Sequence, residues 1–520
     1  MKKLLTAITG MIIASMLFSG QLFAVEVKKG GTLNVGLHIP FATLDWQATV
    51  QHPAPQVQNN VWEGLTAYGK DFTAAPELAE SWSSSDDGKV WTFNLRQGVL
   101  FHNSKEMTSE DVIASIERWQ KVGPKGANLK TTKIVAVDKY TVELHFAEPF
   151  GAALLLLLGS DENKCVIMPK EVAEASPEAN NLSEIIGTGP YKWTEYKEDQ
   201  YIKLTRFEDY ASRSDKPNYH TGMKTAYLDE IIYWIVPEAT TRIAGLISGE
   251  YDIVTSISDT EYDRLVSTEG VDPVKKGPAF NLYLMFNHKK GLTSDINIRR
   301  AIQAAINADE LMAAGIPNPN FRILNPSLYP PESAYHNFAK GELYNQNDPE
   351  KAKEYLAKAG YNGELITYQA ISTIGQQMRV GAALVEQLKR AGMNAEVAVM
   401  DLQTWVAKRR DGDALMMYHS GGNWIDPSLY EPEFTGTFPS EETAFSDPEI
   451  DEVFKLLNQE TDTQKRIKLG RTLQSLMFEK VATYSFGHWY NMIGKSSNVA
   501  DPEGNLSLGN LTLNNVGLKK

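Results

Sequence analysis

Strand-like and helix-like segments are mixed along the whole chain, and this alternation limits the possible folds more than any other feature of the sequence. Residues 33–37 and 142–146 alternate apolar with polar or small side chains, a period of two that is typical of half-buried strands. Residues 109–119 and 349–359 instead repeat apolar side chains at helical spacing. Interleaved elements of both kinds predict an α/β fold and exclude all-α and all-β architectures.

Three helices carry signals for their limits. Thr108 is a candidate N-cap before an acidic first turn. Asp348 is another, followed by a proline at the first helical position, and Gly360 supplies a left-handed stop. A third, continuous helix is predicted over residues 298–314. Prolines and asparagines in residues 315–349 then predict a long irregular segment that crosses a surface.

The length of the chain limits the number of its domains, and its net charge limits the molecules it can bind. The chain has 520 residues, enough for about three compact units. Its formal net charge is −14, and no basic run interrupts the acidic field. Such a field repels phosphate backbones and anionic lipid headgroups, so we expect neither nucleic acid nor a membrane surface as a partner.

The first 24 residues are typical of an export signal. Lys2 and Lys3 precede an apolar run over residues 4–18, and Ala24 offers a small residue for cleavage. Leu22 departs from the small residue expected two positions earlier, and an uncleaved anchor is the alternative interpretation. No later run approaches the length of a membrane span. We therefore expect a mature, soluble chain that begins near Val25, outside the cytoplasm.

The number and position of cysteines narrow the expected cellular location of the protein. Cys165 is the only cysteine, so the chain has no internal disulfide and no metal site built from thiols. We interpret it as a small buried apolar side chain. Because no cysteine lies near Ala24, the chain lacks the acylated residue of a bacterial lipoprotein. A freely diffusing periplasmic protein is expected.

Signatures of enzymes and cofactors are missing from the sequence. The nine histidines form no H-E-x-x-H or other short-spaced metal pair, and no serine lies in G-x-S-x-G. The loop Gly187–Tyr191 lacks the ending of a phosphate-binding loop, and Pro190 removes an amide donor, which predicts a structural turn. We expect no enzyme activity, no cofactor and no metal.

Several segments, in order, resemble one family, the bacterial extracellular solute-binding proteins of family 5, which are peptide- and nickel-type receptors of ABC importers. The resemblance covers nearly the whole mature chain. It rests on Pro76-Glu-Leu-Ala-Glu-Ser-Trp82, Trp91-Thr-Phe-Asn-Leu-Arg-Gln-Gly-Val-Leu-Phe-His102, Met107-Thr-Ser-Glu-Asp-Val112, Gly187-Thr-Gly-Pro-Tyr191, Gly249-Glu-Tyr-Asp-Ile253, Phe286-Asn287 with Ile298-Arg-Arg-Ala-Ile302, and Asp348-Pro-Glu-Lys-Ala-Lys353 ending at Ala359-Gly-Tyr361.

The resemblance implies a two-lobed Venus-flytrap fold with an extra subdomain inserted in the N-terminal lobe. Residues 1–24 would be the signal peptide and 68–189 the inserted subdomain. Lobe I would comprise 25–67, 190–280 and 486–520, and lobe II would comprise 281–485. The lobes would close on a solute by a hinge motion, because a ligand bound from both sides stabilises the closed form.

The implied function is that of a monomeric periplasmic receptor for an ABC importer. It would capture a peptide or a peptide-like solute and deliver it to a permease and ATPase complex at the inner membrane. Two alternatives share the fold: a receptor for a non-peptide solute such as a sugar, amine or opine-like compound, and a ligand-sensing partner of a chemoreceptor.

Two departures from the family pattern concern the ligand. Peptide-binding members carry an aspartate for the peptide ammonium group, and that position falls on Asn423 here. The nearest carboxylate is Asp426, which either contacts the ligand or caps the turn at Pro427. The segment 368–374 also lacks the arginine that clamps the ligand carboxylate in dipeptide receptors. Both departures argue against a standard dipeptide and leave a longer peptide or another solute open.

The remaining candidate contacts follow from the same resemblance. Trp424 is a candidate to stack on a ligand ring or face a cation, with packing between the lobes or in the core as the alternative. Gly422 lets a ligand approach the backbone. The other candidates are Gln51 and His52 in the loop after the first strand, Tyr283 and Met285 on the strand entering lobe II, and Tyr418, which is expected to support the site with His419.

Overall fold

A computed structural model gives the architecture of most of the chain. It describes residues 26–38, 43–49, 53–129, 131–159, 165–288, 290–338, 340–408, 414–420, 426–430, 447–508 and 511–520.

The strands in these ranges, numbered in chain order, are β1 Val27–Lys28, β2 Thr32–Leu37, β3 Thr66–Tyr68, β4 Ala74–Pro76, β5 Ala79–Ser84, β6 Val90–Leu95, β7 Thr131–Asp138, β8 Thr141–Phe146, β9 Tyr191–Lys197, β10 Tyr201–Arg206, β11 Glu230–Ile235, β12 Ile253–Ile257, β13 Val271–Met285, β14 Arg322–Leu324, β15 Leu365–Ile371, β16 Asn394–Met400, β17 Ala414–Ser420, β18 Thr483–Ser496, β19 Val499–Ala500 and β20 Gly517–Lys519.

The helices of the described residues are α1 Pro53–Gln58, α2 Ser109–Val122, α3 Ala153–Leu156, α4 Lys170–Ala175, α5 Ala239–Ser248, α6 Tyr262–Val266, α7 Ile296–Ala305, α8 Ala308–Gly315, α9 Pro349–Ala359, α10 Gly375–Arg390, α11 Leu402–Lys408, α12 Pro448–Gln459 and α13 Thr463–Glu479. None of them is long and apolar enough to cross a membrane.

Two long strands join the two halves of the molecule. β13 and β18 pair antiparallel from Val271–Ser496 to Met285–Thr483. At one end they continue into β12, β2, β11, β10 and β9, which we call lobe I. At the other end they continue into β17, β15 and β16, which we call lobe II. The predicted lobe boundaries at residues 280 and 485 both fall inside these strands.

The crossing itself is irregular. The register between β13 and β18 shifts twice between Lys276 and Phe280, where the strand runs opposite Trp489–Asn491. A third shift lies between Leu282 and Tyr283, so the ladder is interrupted along the stretch in which the strands pass from lobe I to lobe II.

Each lobe has its own apolar core. In lobe II, α7, α8 and α10 cover the sheet, and α10 lies so close to β15 that a side chain at Gly381 would overlap the Tyr368 ring. In lobe I, the buried face of β2 packs with apolar residues from α1 and from the end of the chain.

A third unit stands beside lobe I. β5, β6, β8 and β7 form a separate antiparallel sheet, covered by α2 around a core that includes Trp91 and Trp119. We call residues 65–186 the insertion. A buried ion pair fastens it to lobe I, with Arg118 Nη2 at 2.6 Å from Asp45 Oδ2. Residues 166–173 also share the lobe I core, so these two units are one firmly packed body.

The predicted helix ends are largely confirmed. The Thr108 amide and hydroxyl both donate to Asp111 Oδ2 at the start of α2. α9 begins after Asp348, whose carboxylate accepts from the Lys351 amide, and it ends at Gly360 with a φ of 67°. The single helix predicted over 298–314 is wrong: α7 ends at Ala305, and Asn307 caps a second helix by accepting from the Glu310 amide.

Candidate functional site

Three neighbouring parallel strands of lobe I end at the same edge of the sheet. β2 pairs parallel with both β11 and β12, so the carboxyl ends of the three strands lie side by side. The carboxyl edge of a parallel sheet, where neighbouring connections diverge, is where open α/β folds bind ligands. In lobe I this edge carries His38 after β2, and Thr255 and Ser256 within β12.

Ser256 has an unusual backbone. Its φ is 54°, a left-handed conformation that a non-glycine residue adopts only when its surroundings hold it there. The β12–β18 register is interrupted at the same place, between Val254 and Ile257. The exposed Ser256 hydroxyl lies 3.0 Å from His38 Nδ1, and the Thr255 hydroxyl lies 3.4 Å from the same nitrogen.

A buried arginine holds this backbone in place. The Arg242 guanidinium, on α5, donates to the carbonyls of Thr255 at 3.1 Å and Ser256 at 3.0 Å. It also donates to the carbonyls of Val236 and Pro237, both at 2.6 Å, just after β11. One side chain therefore joins two of the three strand ends, and burial lowers the pKa of this arginine. A buried charged group thus fixes the backbone of this edge.

On the lobe II side, Asp426 is engaged inside the protein. Its side chain is fully buried and lies 2.7 Å from Arg466 Nη2. The Tyr335 hydroxyl donates to the other carboxylate oxygen. The Ser428 amide donates to Asp426 Oδ1 at 2.9 Å, so the carboxylate also caps the turn that starts at Pro427.

The charge state of this group follows from its partners. Burial on its own would raise the pKa of Asp426, but the adjacent Arg466 and the hydrogen bonds from Ser428 and Tyr335 outweigh it and leave the pKa below its usual value. The pair is therefore fully ionised at neutral pH.

The other predicted contacts divide into two groups. Tyr283 is completely buried in a lobe II cluster with Tyr335, and it lies opposite Tyr418 in the β13–β17 ladder. Met285 belongs to the same buried cluster. The second group, Gln51, His52, Gly422, Asn423 and Trp424, lies outside the residues that the structure describes.

The glycine-rich loop at 187–191 is a packed turn. The Gly187 amide donates to His102 Nδ1, while His102 Nε2 lies 2.9 Å from the Gly189 carbonyl. A side chain at Gly187 would overlap the Val61 carbonyl. The loop has no room for a phosphate, and the described residues contain no group of three or more metal-ligating side chains.

Sequence reasoning missed the lobe I edge. The motif Gly249–Ile253 leads directly into Thr255 and Ser256, and Arg242 interrupts an otherwise apolar helix face. A buried arginine on such a face must be satisfied by carbonyls or carboxylates, which is the signal that could have indicated it.

Comparison with known proteins decides the family. Residues 73–441 match the family model described as bacterial extracellular solute-binding proteins, family 5, middle region. The chain belongs to this family. The resemblance found in the sequence is thereby confirmed.

Relatives and solved structures agree with the family. A probable peptide ABC transporter periplasmic-binding protein of Sinorhizobium fredii is 28% identical over 376 residues, 70% of this chain and 68% of the relative. The dipeptide-binding protein of Escherichia coli is 24% identical over 450 residues, 79% and 80% of the two chains. An ABC transporter substrate-binding protein from Listeria monocytogenes, 20% identical, superposes with a TM-score of 0.81 over 95% of this chain and 100% of that one. The predicted two-lobed α/β fold is confirmed.

Proposed function

We propose that this family 5 member is a periplasmic receptor that captures a peptide between its lobes and delivers it to the permease and ATPase of an ABC importer. The observation that carries the proposal is the match, along more than two thirds of both chains, to relatives named for peptide binding. The family is one of solute-binding proteins, and we propose no catalysis.

The lobe I edge is the proposed receptor surface for the peptide backbone. An extended peptide presents alternating amide donors and carbonyl acceptors. The hydroxyls of Thr255 and Ser256 and the imidazole of His38 both donate and accept hydrogen bonds, so they match that pattern. Since Arg242 fixes the backbone beneath them, little conformational entropy is lost on binding.

The lobe II side is proposed to contribute the segment before Pro427. We keep Gly422, Asn423 and Trp424 there, and Gln51 and His52 on lobe I, as proposed contacts. Asp426 and Tyr283 are buried, so we assign them the support of the segment and of the strand that carries Tyr418. With the Asp426 carboxylate neutralised by Arg466, recognition by the peptide backbone is favoured over recognition by its ammonium terminus.

One experiment tests location and ligand together. The full chain is expressed with its leader, and the osmotic-shock fraction is collected, purified and gently denatured. We expect a protein with its N-terminus near Val25 that releases peptides detectable by mass spectrometry. Adding back the identified peptide at about a hundredfold excess over Kd should stabilise the protein by roughly 2.7 kcal/mol.

Recovery in the membrane pellet with the leader intact would contradict the proposed location. A ligand-free protein whose melting temperature is unchanged by panels of di-, tri- and oligopeptides would contradict the proposed peptide receptor. A bound sugar, amine or opine-like compound would replace peptide as the solute and keep the receptor.

Trp424→Ala tests the lobe II contact. If the indole stacks on the ligand, we expect a loss of about 1–3 kcal/mol of affinity for the recovered peptide, roughly ten- to a hundredfold, by calorimetric titration. The melting temperature of the free protein should stay unchanged. Trp193→Ala is the matched control. This half-buried indole lies on β9, at the outer edge of the lobe I sheet, so its loss should leave the affinity for the peptide unchanged. A free protein destabilised by Trp424→Ala with normal affinity would assign Trp424 to packing.

A further inference from the structure

The insertion touches lobe II at a place separate from the crossing strands. The Gly151 amide donates to the Asn458 carbonyl at 2.7 Å, at the end of α12. The Ala334 amide of lobe II donates to the Asp71 carbonyl of the insertion at 3.1 Å. Two backbone hydrogen bonds, one in each direction, therefore link the insertion to lobe II.

Gly151 fits this contact because it has no side chain. A Cβ at this position would lie 1.8 Å from the Glu460 carbonyl oxygen and 2.5 Å from Arg466 Nη1, and its nearest neighbours all belong to lobe II. Its φ is outside the left-handed region. Glycine is therefore required by the approach of lobe II and not by local backbone strain.

The acceptor loop in lobe II is prepared by Arg466. This guanidinium donates to the carbonyls of Leu457 and Glu460, on either side of the carbonyl that accepts from Gly151. The same guanidinium pairs with Asp426. The contact with the insertion is thus connected, through one buried side chain, to the turn at Pro427 that Asp426 caps.

The contact differs in kind from the interface between the insertion and lobe I. There, a shared apolar core and the Arg118–Asp45 pair bind the units. Among the described residues, the cores of the insertion and of lobe II share no member. Their contact also encloses a cavity of about 20 Å³ between Leu155, Tyr335 and Thr463. The gap is lined largely by apolar side chains, including Phe72, Leu155 and Tyr335, that leave it unfilled. A small, incompletely packed interface is easier to separate than a shared core.

We propose that this contact is a reversible latch between the insertion and lobe II. The insertion and lobe I are one firmly packed body, so any rotation of lobe II relative to this body must alter the contact made by Gly151 and Asp71. The latch stabilises the arrangement of the lobes described here. When it is lost, lobe II can adopt other orientations relative to lobe I. This inference is independent of the identity of the solute.

Distances between spin labels test the latch in the ligand-free protein. One label replaces Lys133, exposed on the insertion, and the other replaces Glu354, exposed on α9 of lobe II. The native Cys165 is buried and burial raises the pKa of its thiol, so it does not compete for label. Pulsed electron resonance then reports how the population divides between distances.

Gly151→Ala should raise the population at the longer distance by about fivefold or more. Losing one backbone hydrogen bond from a two-state equilibrium accounts for about fivefold, and the overlap of the new Cβ with the Glu460 carbonyl adds to it. Gly375→Ala is the matched control, since its Cβ would meet only the end of Arg379 at 3.4 Å. Thr461→Trp is the second variant, because Thr461 Cγ2 would lie 3.3 Å from a Cβ built at Gly88 of the insertion. An indole at position 461 should force the insertion and lobe II apart and also raise the population at the longer distance. A reference pair at Lys133 and Arg264, within the insertion and lobe I, should keep its distance in every variant.

Two results would overturn the latch. One is a Lys133–Glu354 distribution that is the same in the wild type, Gly151→Ala and Thr461→Trp. The other is a Gly151→Ala protein that keeps the wild-type distances but unfolds at markedly lower temperature, which would make the contact permanent packing.

Discussion

The free energy of unfolding should fall steeply as the pH drops from 6.5 to 4, because the protein holds neutral histidines away from water. Burial lowers the pKa of His102 to about 4 and that of His288 and His488 to about 3. In the unfolded chain each would titrate near 6.5. Between these values the unfolded state binds protons that the folded state does not, so stability is present above pH 6.5 and is lost as the pH falls.

The size of the effect follows from the number of protons. Each contributes about 1.4 kcal/mol per pH unit. Burial also lowers the pKa of His220 well below its ordinary value, so four histidines give a slope of about 5.5 kcal/mol per pH unit near pH 5. Glu77 opposes it in part, because burial raises the pKa of this carboxyl despite the nearby Lys224, and the folded state then takes up a proton first. The observed slope should therefore lie below that value.

Urea unfolding at pH 8, 7, 6 and 5 measures the slope. His488→Gln should make it shallower by about 1.4 kcal/mol per pH unit, since one titrating group is removed. His145→Gln is the control, because His145 lies on the exposed side of the insertion sheet and pairs with Glu143. Parallel curves for wild type and His488→Gln would show that the buried histidines do not drive acid unfolding.

Local signals explain why parts of the fold could be predicted from the sequence. The ends of α9 depend on an aspartate, a proline and a glycine within the helix and its flanks, so they are readable without tertiary information. The division between α7 and α8 was missed because Asn307 lies inside an uninterrupted apolar periodicity. The break there depends on long-range contacts, including the Asn307 amide donating to Gln387.

The candidate site was harder to predict because its key contacts join distant residues. Arg466 lies 40 positions after Asp426, and Arg118 lies 73 positions after Asp45. Single-sequence reasoning gives no means of pairing them. The left-handed φ of Ser256 likewise has no local signature, because serine, unlike glycine or asparagine, does not favour that conformation. Resemblance to the family indicated the segment that contains Asp426, whereas its partners Arg466 and Tyr335 are brought to it by the fold.

Asp426→Asn should destabilise the free protein by about 3–5 kcal/mol, the cost of leaving a buried charge without its partner. The Arg466 guanidinium is almost fully buried and stays charged when the carboxylate is removed. The hydrogen bond from Tyr335 and the cap on the turn at Pro427 are weakened at the same time. Urea unfolding monitored by tryptophan fluorescence, without ligand, measures the loss.

Whether Asp426→Asn lowers the stability of the free protein or its affinity for peptide distinguishes structural support from ligand contact. Glu386→Gln removes one partner of an exposed pair, Lys389–Glu386 at 3.1 Å, and should leave the unfolding midpoint unchanged, because water screens that interaction. If Asp426→Asn unfolds like the wild type but binds peptide more weakly, with a loss that shrinks at high salt, the carboxylate contacts a cationic group of the ligand. Lower stability with affinity retained instead assigns Asp426 to the turn and to Arg466, as its burial requires.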